Sequence, residues 1–435
     1  MTRVVITGMG VTCPLGLTLS SLWNSLSSGT SGVRVCLPEE YLPLPYAAFA
    51  DEFTGHIDDF GELEPQLKKT IRKGLKLMSR EIRMGIAATQ RALIDAGISC
   101  GQLDPDRVGT SIGCDYILTT NDELTEAFKV CCDGNGQFDF GVWGEKALVK
   151  ITPLWQLKYL SNMPSCHIAI YNDFRGICSS VTLREASIGT AVGEAVHHIQ
   201  SGKVDAMVVG ATGSRLHPVK VMQAMLAEQV AKNDDEPPES ASRPFDGKRH
   251  GMVLGEGAGS LILESEEHAK KRGANIYGEI VCGTWLAHVD RVPDTDLAFC
   301  RGKALTQAMK LLLERTGVSP DSIGHVNAHG LSESLCDADE AKAIRDVFGD
   351  RPVPVTAAKS YFGNLGAGSG AVEMIAGVLA LQENKLFPIL NNVSCGTDCP
   401  ITPVREFGVA AGDSFIKLCV SPQAQASAVL IRKFS

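Results

Sequence analysis

No run of roughly 18 or more apolar residues occurs anywhere in the 435-residue chain, so no membrane-spanning helix is expected. A secretory leader is missing too: Thr2-Arg3-Val4-Val5-Ile6-Thr7-Gly8 reads as a short strand ending in a glycine turn, with no signal-type apolar core or cleavage site behind it. Basic charge is in deficit, with 41 Lys and Arg against 50 Asp and Glu and a net charge of -9. That balance speaks against nucleic acid or an anionic membrane as the main partner, while leaving room for a local basic patch that meets an acidic protein. No low-complexity segment appears. The fourteen cysteines include no CxxC pair, and without an export signal they read as reduced thiols of a cytoplasmic protein. Cys131-Cys132 and Cys395-x3-Cys399 lack zinc-site spacing, so neither a metal nor another cofactor is expected.

What is present is length and pattern. A chain of this size with 44% apolar residues is too long for one simple domain, and short apolar runs bounded by glycine alternate with helical patterns, which favours an α/β fold. Strands are predicted at Val4–Thr7, Ala206–Val209, Ser260–Leu263, His325–Ala328 and Ala426–Ile431. The spacing of Ile82, Ile86, Ala87, Leu93 and Ile94 predicts an amphipathic helix over 80–96 with those residues on its buried side. A second helix starts near Glu185 and runs to Gln200. The stretch 233–240, charged and proline-bearing, reads as a surface loop, and Gly255-Glu-Gly-Ala-Gly259 as the link to a new series of strands and helices.

Four separated blocks stand in a telling order: Val4-Val-Ile-Thr-Gly-Met-Gly-Val11; Ser242-Arg-Pro-Phe-Asp246 with Arg249 to Gly259; Asn327-Ala-His-Gly330 followed by Asp337 and Glu340; and Lys359-Ser-x-x-Gly363 with Gly370-Ala-Val-Glu373. With these blocks the chain resembles the β-ketoacyl-ACP synthase II family of thiolase-fold condensing enzymes, essentially end to end. The resemblance implies an α/β thiolase-like fold of two similar halves, 1–256 and 257–435, in five α-β-α-β-α layers. It also implies a nucleophilic cysteine thiolate at the N-terminus of a buried helix, favoured there by the helix dipole and free N–H groups, and two histidines that polarise a malonyl thioester during decarboxylation.

Counted forward from Arg175-Gly176 and backward from Asp205 to Gly210, the nucleophile position falls on Glu185. Cys178, in Gly176-Ile-Cys-Ser-Ser180, lies seven residues too early and reads as a structural thiol at a strand start. A carboxylate is a poor acyl acceptor, and Glu185-Ala186-Ser187 is similar to the chain-length factors of type II polyketide synthases. Burial would raise the glutamate pKa and the helix N-terminus would lower it. A glutamate at such a place is elsewhere usually a solvated cap.

Further departures surround it. His329 keeps the first family histidine, but Asn364 stands in place of the second, a pair that ketosynthase III enzymes also use. His329 is either a polarising group or a packed relic. His250 replaces a usual aspartate, and the resemblance implies a buried ion pair between Lys359 and Glu340. The segment Cys419 to Ser427 has neither the glycines nor the phenylalanine of the family's gating loop, and side-chain-bearing residues with Pro422 predict a stiffer or differently shaped turn.

The basic stretch with Lys68, Lys69, Arg72, Lys73 and Lys76 is either a solvated helix face or, as the resemblance implies, the docking site of an acidic acyl carrier protein. Residues 121–144 match the family poorly and receive no role. The leading expectation is a non-condensing subunit paired with a cysteine-bearing ketosynthase or with itself. The competing one is a malonyl-thioester decarboxylase or a condensing enzyme with Glu185 as general base beside His329 and Asn364.

Overall fold

The computed structural model describes residues 2–232, 235–290 and 298–434. Eleven strands form the main sheet: β1 (Val4–Thr12), β2 (Val108–Cys114), β3 (Cys178–Val181), β4 (Ala206–Ser214), β5 (Glu256–Ser265), β6 (Gly278–Ala287), β7 (His325–Asn327), β8 (Pro354–Thr356), β9 (Thr402–Pro403), β10 (Ser414–Val420) and β11 (Gln425–Arg432). Their order across the sheet is β9-β8-β7-β10-β11-β6-β1-β5-β4-β2-β3. Only three residue pairs, Val4–Ile6 against Gly278–Ile280, join β1 to β6. On either side of that seam the sheet divides around two helices.

Those helices are α4 (Ser187–Gln200) and α7 (Ser369–Glu383), and most of their residues are buried. The first packs on β2 and β4 from one side and on β6 and β11 from the other, while the second lies between β5 and β10. A helix apolar on all sides needs such a double cover, since a single sheet would leave half of it in water. Outer helices complete the five layers of the thiolase-like fold. On one face are α2 (Arg80–Asp95) over β1, β5 and β4, and α3 (Met163–Asn172) over β2; on the other is α5 (Arg301–Thr316) over β6 and β11, backed by α6 (Ser334–Phe348).

Each predicted strand is found, usually longer than its sequence pattern, because β1, β4 and β5 are buried on both faces and so lack the polar alternation that would mark their ends. The 80–96 helix is α2, ending at Asp95; Ile82, Ile86, Ala87 and Leu93 are buried, but Ile94 is 44% exposed because it falls just outside the packed stripe. Helix α4 begins at Ser187 after a 3-10 turn at Arg184–Ala186. Of Gly255 to Gly259, all but Gly255 is already the start of β5. A Cβ on Gly259 would lie 3.0 Å from Ala371 and Val372 atoms of α7, so the glycine lets helix and sheet approach. Asn233 and Asp234 lie outside the described residues, and the rest of that loop ends in a single turn at Pro238–Ser240. No described helix is long and apolar enough to cross a membrane.

The starts of the two central helices meet. The Arg184–Ala186 turn before α4 touches the Gly366–Gly368 turn before α7, bringing residues far apart in sequence into one place. Replacing Gly259 by valine should push α7 off the sheet and lower unfolding free energy in urea by about 1–3 kcal/mol without changing the secondary-structure content. An unchanged midpoint would show that the contact is slack.

Candidate functional site

Glu185 sits in the turn that leads into α4 and is 2% exposed. The turn is sharp: Arg184 adopts φ 51, a left-handed value uncommon for a residue with a side chain, while the Ser187 hydroxyl accepts the Leu183 N–H at 2.9 Å. This geometry aims the Glu185 carboxylate inward. Its Oε1 accepts from Arg215 Nη1 at 2.9 Å and from Asn364 Nδ2 at 3.0 Å, and its Oε2 lies 3.5 Å from Arg184 Nε. Burial alone would raise the pKa of this carboxyl. The guanidinium groups of Arg184 and Arg215, helped by the Asn364 amide, outweigh it and hold the pKa at about 2.

Arg215 follows the last residue of β4, where its N–H donates to Gly255 O at 2.9 Å. Its other face binds Glu228, which caps the Pro218–Ala227 helix, with Nη2 2.5 Å from Oε1. Arg184 Nη2 reaches the same Glu228 oxygens at 3.1 and 3.3 Å. Two cations and two anions thus close into a ring. Asp115 borders it, its carboxyl pushed up by burial and by the Glu185 charge, though Lys220 and Arg184 oppose this.

Asn364 is locked independently. Its Oδ1 accepts from Gly366 N at 3.0 Å and from Ser369 Oγ at 3.2 Å, which fixes the amide so that Nδ2 faces Glu185 and Met252 Sδ. Both of its N–H groups are therefore engaged within the protein.

His329 belongs to a second buried cluster. Lys359 Nζ donates to His329 O at 2.9 Å and lies 3.2 Å from His329 Nδ1, which leaves the ring proton on Nε2. Burial first, then the cations of Lys359, Lys417 and Arg301, hold this histidine well below its usual pKa and keep it neutral. No hydrogen bond or ion pair among the described residues links His329 to Glu185.

The expected Lys359–Glu340 ion pair is not formed. Lys359 pairs instead with Glu373 of α7 at 2.5 Å, and Lys417 takes the other Glu373 oxygen at 2.5 Å. Glu340 is occupied by the backbone: it accepts the His329 N–H at 2.6 Å and the Gly330 N–H at 2.8 Å, and Asp337 likewise takes the N–H groups of Phe245, Leu331 and Ser332. These carboxylates shape the Asn327–Gly330 loop. His250 joins neither cluster, its Nδ1 lying 3.4 Å from Lys248 O.

The remaining residues fall elsewhere. Cys178 is exposed on edge strand β3, 3.3 Å from Ser165 Oγ. The Cys419–Ser427 segment is a tight hairpin of β10 and β11 closed by Ser421–Ala424, and Ala424 takes the left-handed φ 54 although it carries a side chain. Lys68, Lys69, Arg72 and Lys73 lie on α1 (Pro65–Gly74), which buries Ile71, and Lys76 lies just beyond; Lys68 pairs with Asp58 at 2.6 Å and the other four are exposed. Residues 121–144 begin with a helix, Asn121–Lys129, and gather Phe128, Phe138, Phe140 and Trp143 into an aromatic cluster. All fourteen cysteines are free, and no group of metal-binding side chains occurs among the described residues. Sequence reasoning missed Arg215 and Glu228; only the adjacency of Arg184 to Glu185 hinted at charge compensation.

Comparison with known proteins accords with this architecture. Residues 1–269 match the family described as Beta-ketoacyl synthase, N-terminal domain, and residues 285–392 match Beta-ketoacyl synthase, C-terminal domain. A curated relative, 3-oxoacyl-[acyl-carrier-protein] synthase 2 of Synechocystis sp., is 30% identical over 92% of this chain and 90% of its own. Among solved structures, a beta-ketoacyl synthase from Burkholderia phymatum is 27% identical with a TM-score of 0.84, and the ishigamide ketosynthase/chain length factor is 23% identical with a TM-score of 0.82, each covering 100% of both chains. The chain belongs to the β-ketoacyl synthase family.

The depressed Glu185 pKa has a signed consequence. A carboxyl at about 2 in the folded state and near 4.5 when unfolded adds stability above pH 4.5 that is lost as pH falls toward 2. Wild type should exceed Glu185→Gln by on the order of 3 kcal/mol near pH 6. Chemical denaturation at a series of pH values should show the gap shrinking between pH 4.5 and 2, whereas a constant gap would mean that Glu185 is not held ionised.

Proposed function

We propose that this chain is a ketosynthase-like subunit without a working nucleophile, acting as the chain-length-factor-type partner of an active ketosynthase that handles carrier-bound chains. The observation that carries the reading is the engagement of Glu185. In this reading it occupies the place of the family's cysteine, at the approach to a buried helix, yet its carboxylate is ionised and held by Arg184, Arg215 and Asn364. Such a group neither attacks a thioester nor, with a pKa of about 2, takes a proton efficiently.

The second reading, a malonyl-thioester decarboxylase, draws support from His329, which is neutral with its proton on Nε2 and so is set up as a donor. Against it stands Asn364, whose amide hydrogens are already used. The exposed basic groups of α1 and its end favour docking of an acidic carrier protein, and the relatives' name as acyl-carrier-protein synthases agrees. Strand β3 ends the sheet and offers one edge for pairing with a second ketosynthase-type chain.

Purified protein incubated with malonyl-carrier protein should release no carbon dioxide above background; turnover that disappears in His329→Ala and Asn364→Ala would overturn the subunit reading in favour of the decarboxylase. Co-expression with a cysteine-bearing ketosynthase should give a heterodimer by native mass spectrometry, and homodimers with every candidate would end the partner proposal.

Reversing Lys69 and Arg72 to glutamate should weaken carrier binding about tenfold, an effect that salt should mimic. Equal affinity for both proteins would leave the basic face as a solvated surface. Glu185→Cys alone should not restore condensation, since Arg215, Asn364 and the hairpin turn remain; mass spectrometry after exposure to an acyl-carrier donor checks this, and a stable adduct followed by efficient condensation would refute it.

A further inference from the structure

We infer that Arg184, Arg215 and Asn364 form a carboxylate-binding cradle whose resident ligand is the chain's own Glu185, so that the site is closed from within to any acyl group carrying a carboxylate. The inference rests on the reading of Glu185 as a silent group and gives that silence a structural cause.

Three chain segments converge on one carboxylate: the turn before α4, the end of β4 and the loop before α7. Each donor is held by partners other than Glu185. Both guanidinium groups bind Glu228, and Asn364 is anchored through its Oδ1 by Gly366 N and Ser369 Oγ. Each donor thus has an anchor that remains when Glu185 is removed. Trimming Glu185 to alanine removes a CH2–COO⁻ unit, the size of acetate, and leaves the ring of Arg184, Arg215 and Glu228 with one uncompensated positive charge. Glu185 Oε2 and Arg184 Nε, both buried, lack a hydrogen bond although they lie 3.5 Å apart, so one corner of the cradle is imperfectly filled by the tethered side chain. An untethered carboxylate has no such restriction.

The experiment is rescue of thermal stability. Glu185→Ala should melt below wild type, and sodium acetate or formate should raise its Tm saturably, by about 2–4 °C beyond sodium chloride at equal ionic strength. Acetamide, which has the shape without the charge, should do nothing. Wild type and Glu185→Gln, in which the space stays filled, should not respond either. Acetate acting equally on wild type and Glu185→Ala, or on neither, overturns the cradle. If Glu185→Ala does not fold, Arg215→Ala carries the test: low-millimolar guanidinium should raise its Tm and leave wild type unchanged, and no rise overturns the inference. Malonyl turnover by wild type would sink the silent-subunit reading while leaving acetate rescue standing; absent rescue without turnover would sink the cradle alone.

Discussion

A carboxylate moved out of water at the centre of a protein loses several kcal/mol of hydration and keeps its charge only if cations and donors replace the water. Glu185 imposes that requirement on everything near it. Arg215 must be buried to reach it, and a buried guanidinium with more donors than Glu185 can accept needs Glu228 as a second acceptor. Arg184 must take a left-handed backbone conformation so that its neighbour turns inward. The amide of Asn364 must point one way. The position at the meeting of two helix starts helps, because both contribute positive potential to the same point. Removing one member would strand a charge rather than merely delete a contact.

The Glu373 cluster obeys the same rule with the signs exchanged. Here one carboxylate on α7 bridges two buried lysines, Lys359 and Lys417, which between them fix the backbone carbonyls of Asn327, Ala328 and His329. Burial, reinforced by these lysines, keeps His329 neutral, and Lys359 at Nδ1 determines its tautomer. This cluster is independent of Glu185, and its arrangement retains a neutral imidazole with a free donor side. The two clusters therefore differ in kind, since the His329 cluster keeps a neutral imidazole while the Glu185 cluster uses its donors internally.

How much of this could be read in the residues follows from the range of each signal. Strand and helix identities were legible at Val4, Ala206, Ala426 to Ile431 and Arg80 because apolar runs and spacing are local properties. The four motif blocks carried the family, and the coincidence of Glu185 with a helix entrance was visible from counting. Partners were not legible. Lys359 chooses Glu373 over Glu340 because Glu340 is already claimed by two backbone N–H groups, a competition that only the folded loop creates. Arg215 and Glu228 lie 30 and 43 positions beyond Glu185 and carry no motif. Ala424 at φ 54 shows the limit of arguing turn shape from composition, since a tight hairpin can force an alanine into a region that glycine merely occupies more easily.

The ring also explains why a change at position 185 cannot be considered by itself. Residues that share one hydrogen-bonded charge network couple by about 0.5–3 kcal/mol, so their effects do not add. A cysteine placed beside Arg184 and Arg215 would sit in a field that favours its thiolate, yet it would leave one positive charge uncompensated by a fixed anion and would face Asn364 where a second histidine is expected. The thiolate would then be drawn into the vacated role of Glu185 as a counter-ion, held by the guanidinium groups and less available to an incoming thioester. On the proposed reading, restoring condensation then requires removing the cradle along with its ligand, and Arg215 is the member to remove first, because it is almost wholly buried and hydrogen-bonds both carboxylates, whereas Arg184 reaches Glu185 only at 3.5 Å without a hydrogen bond.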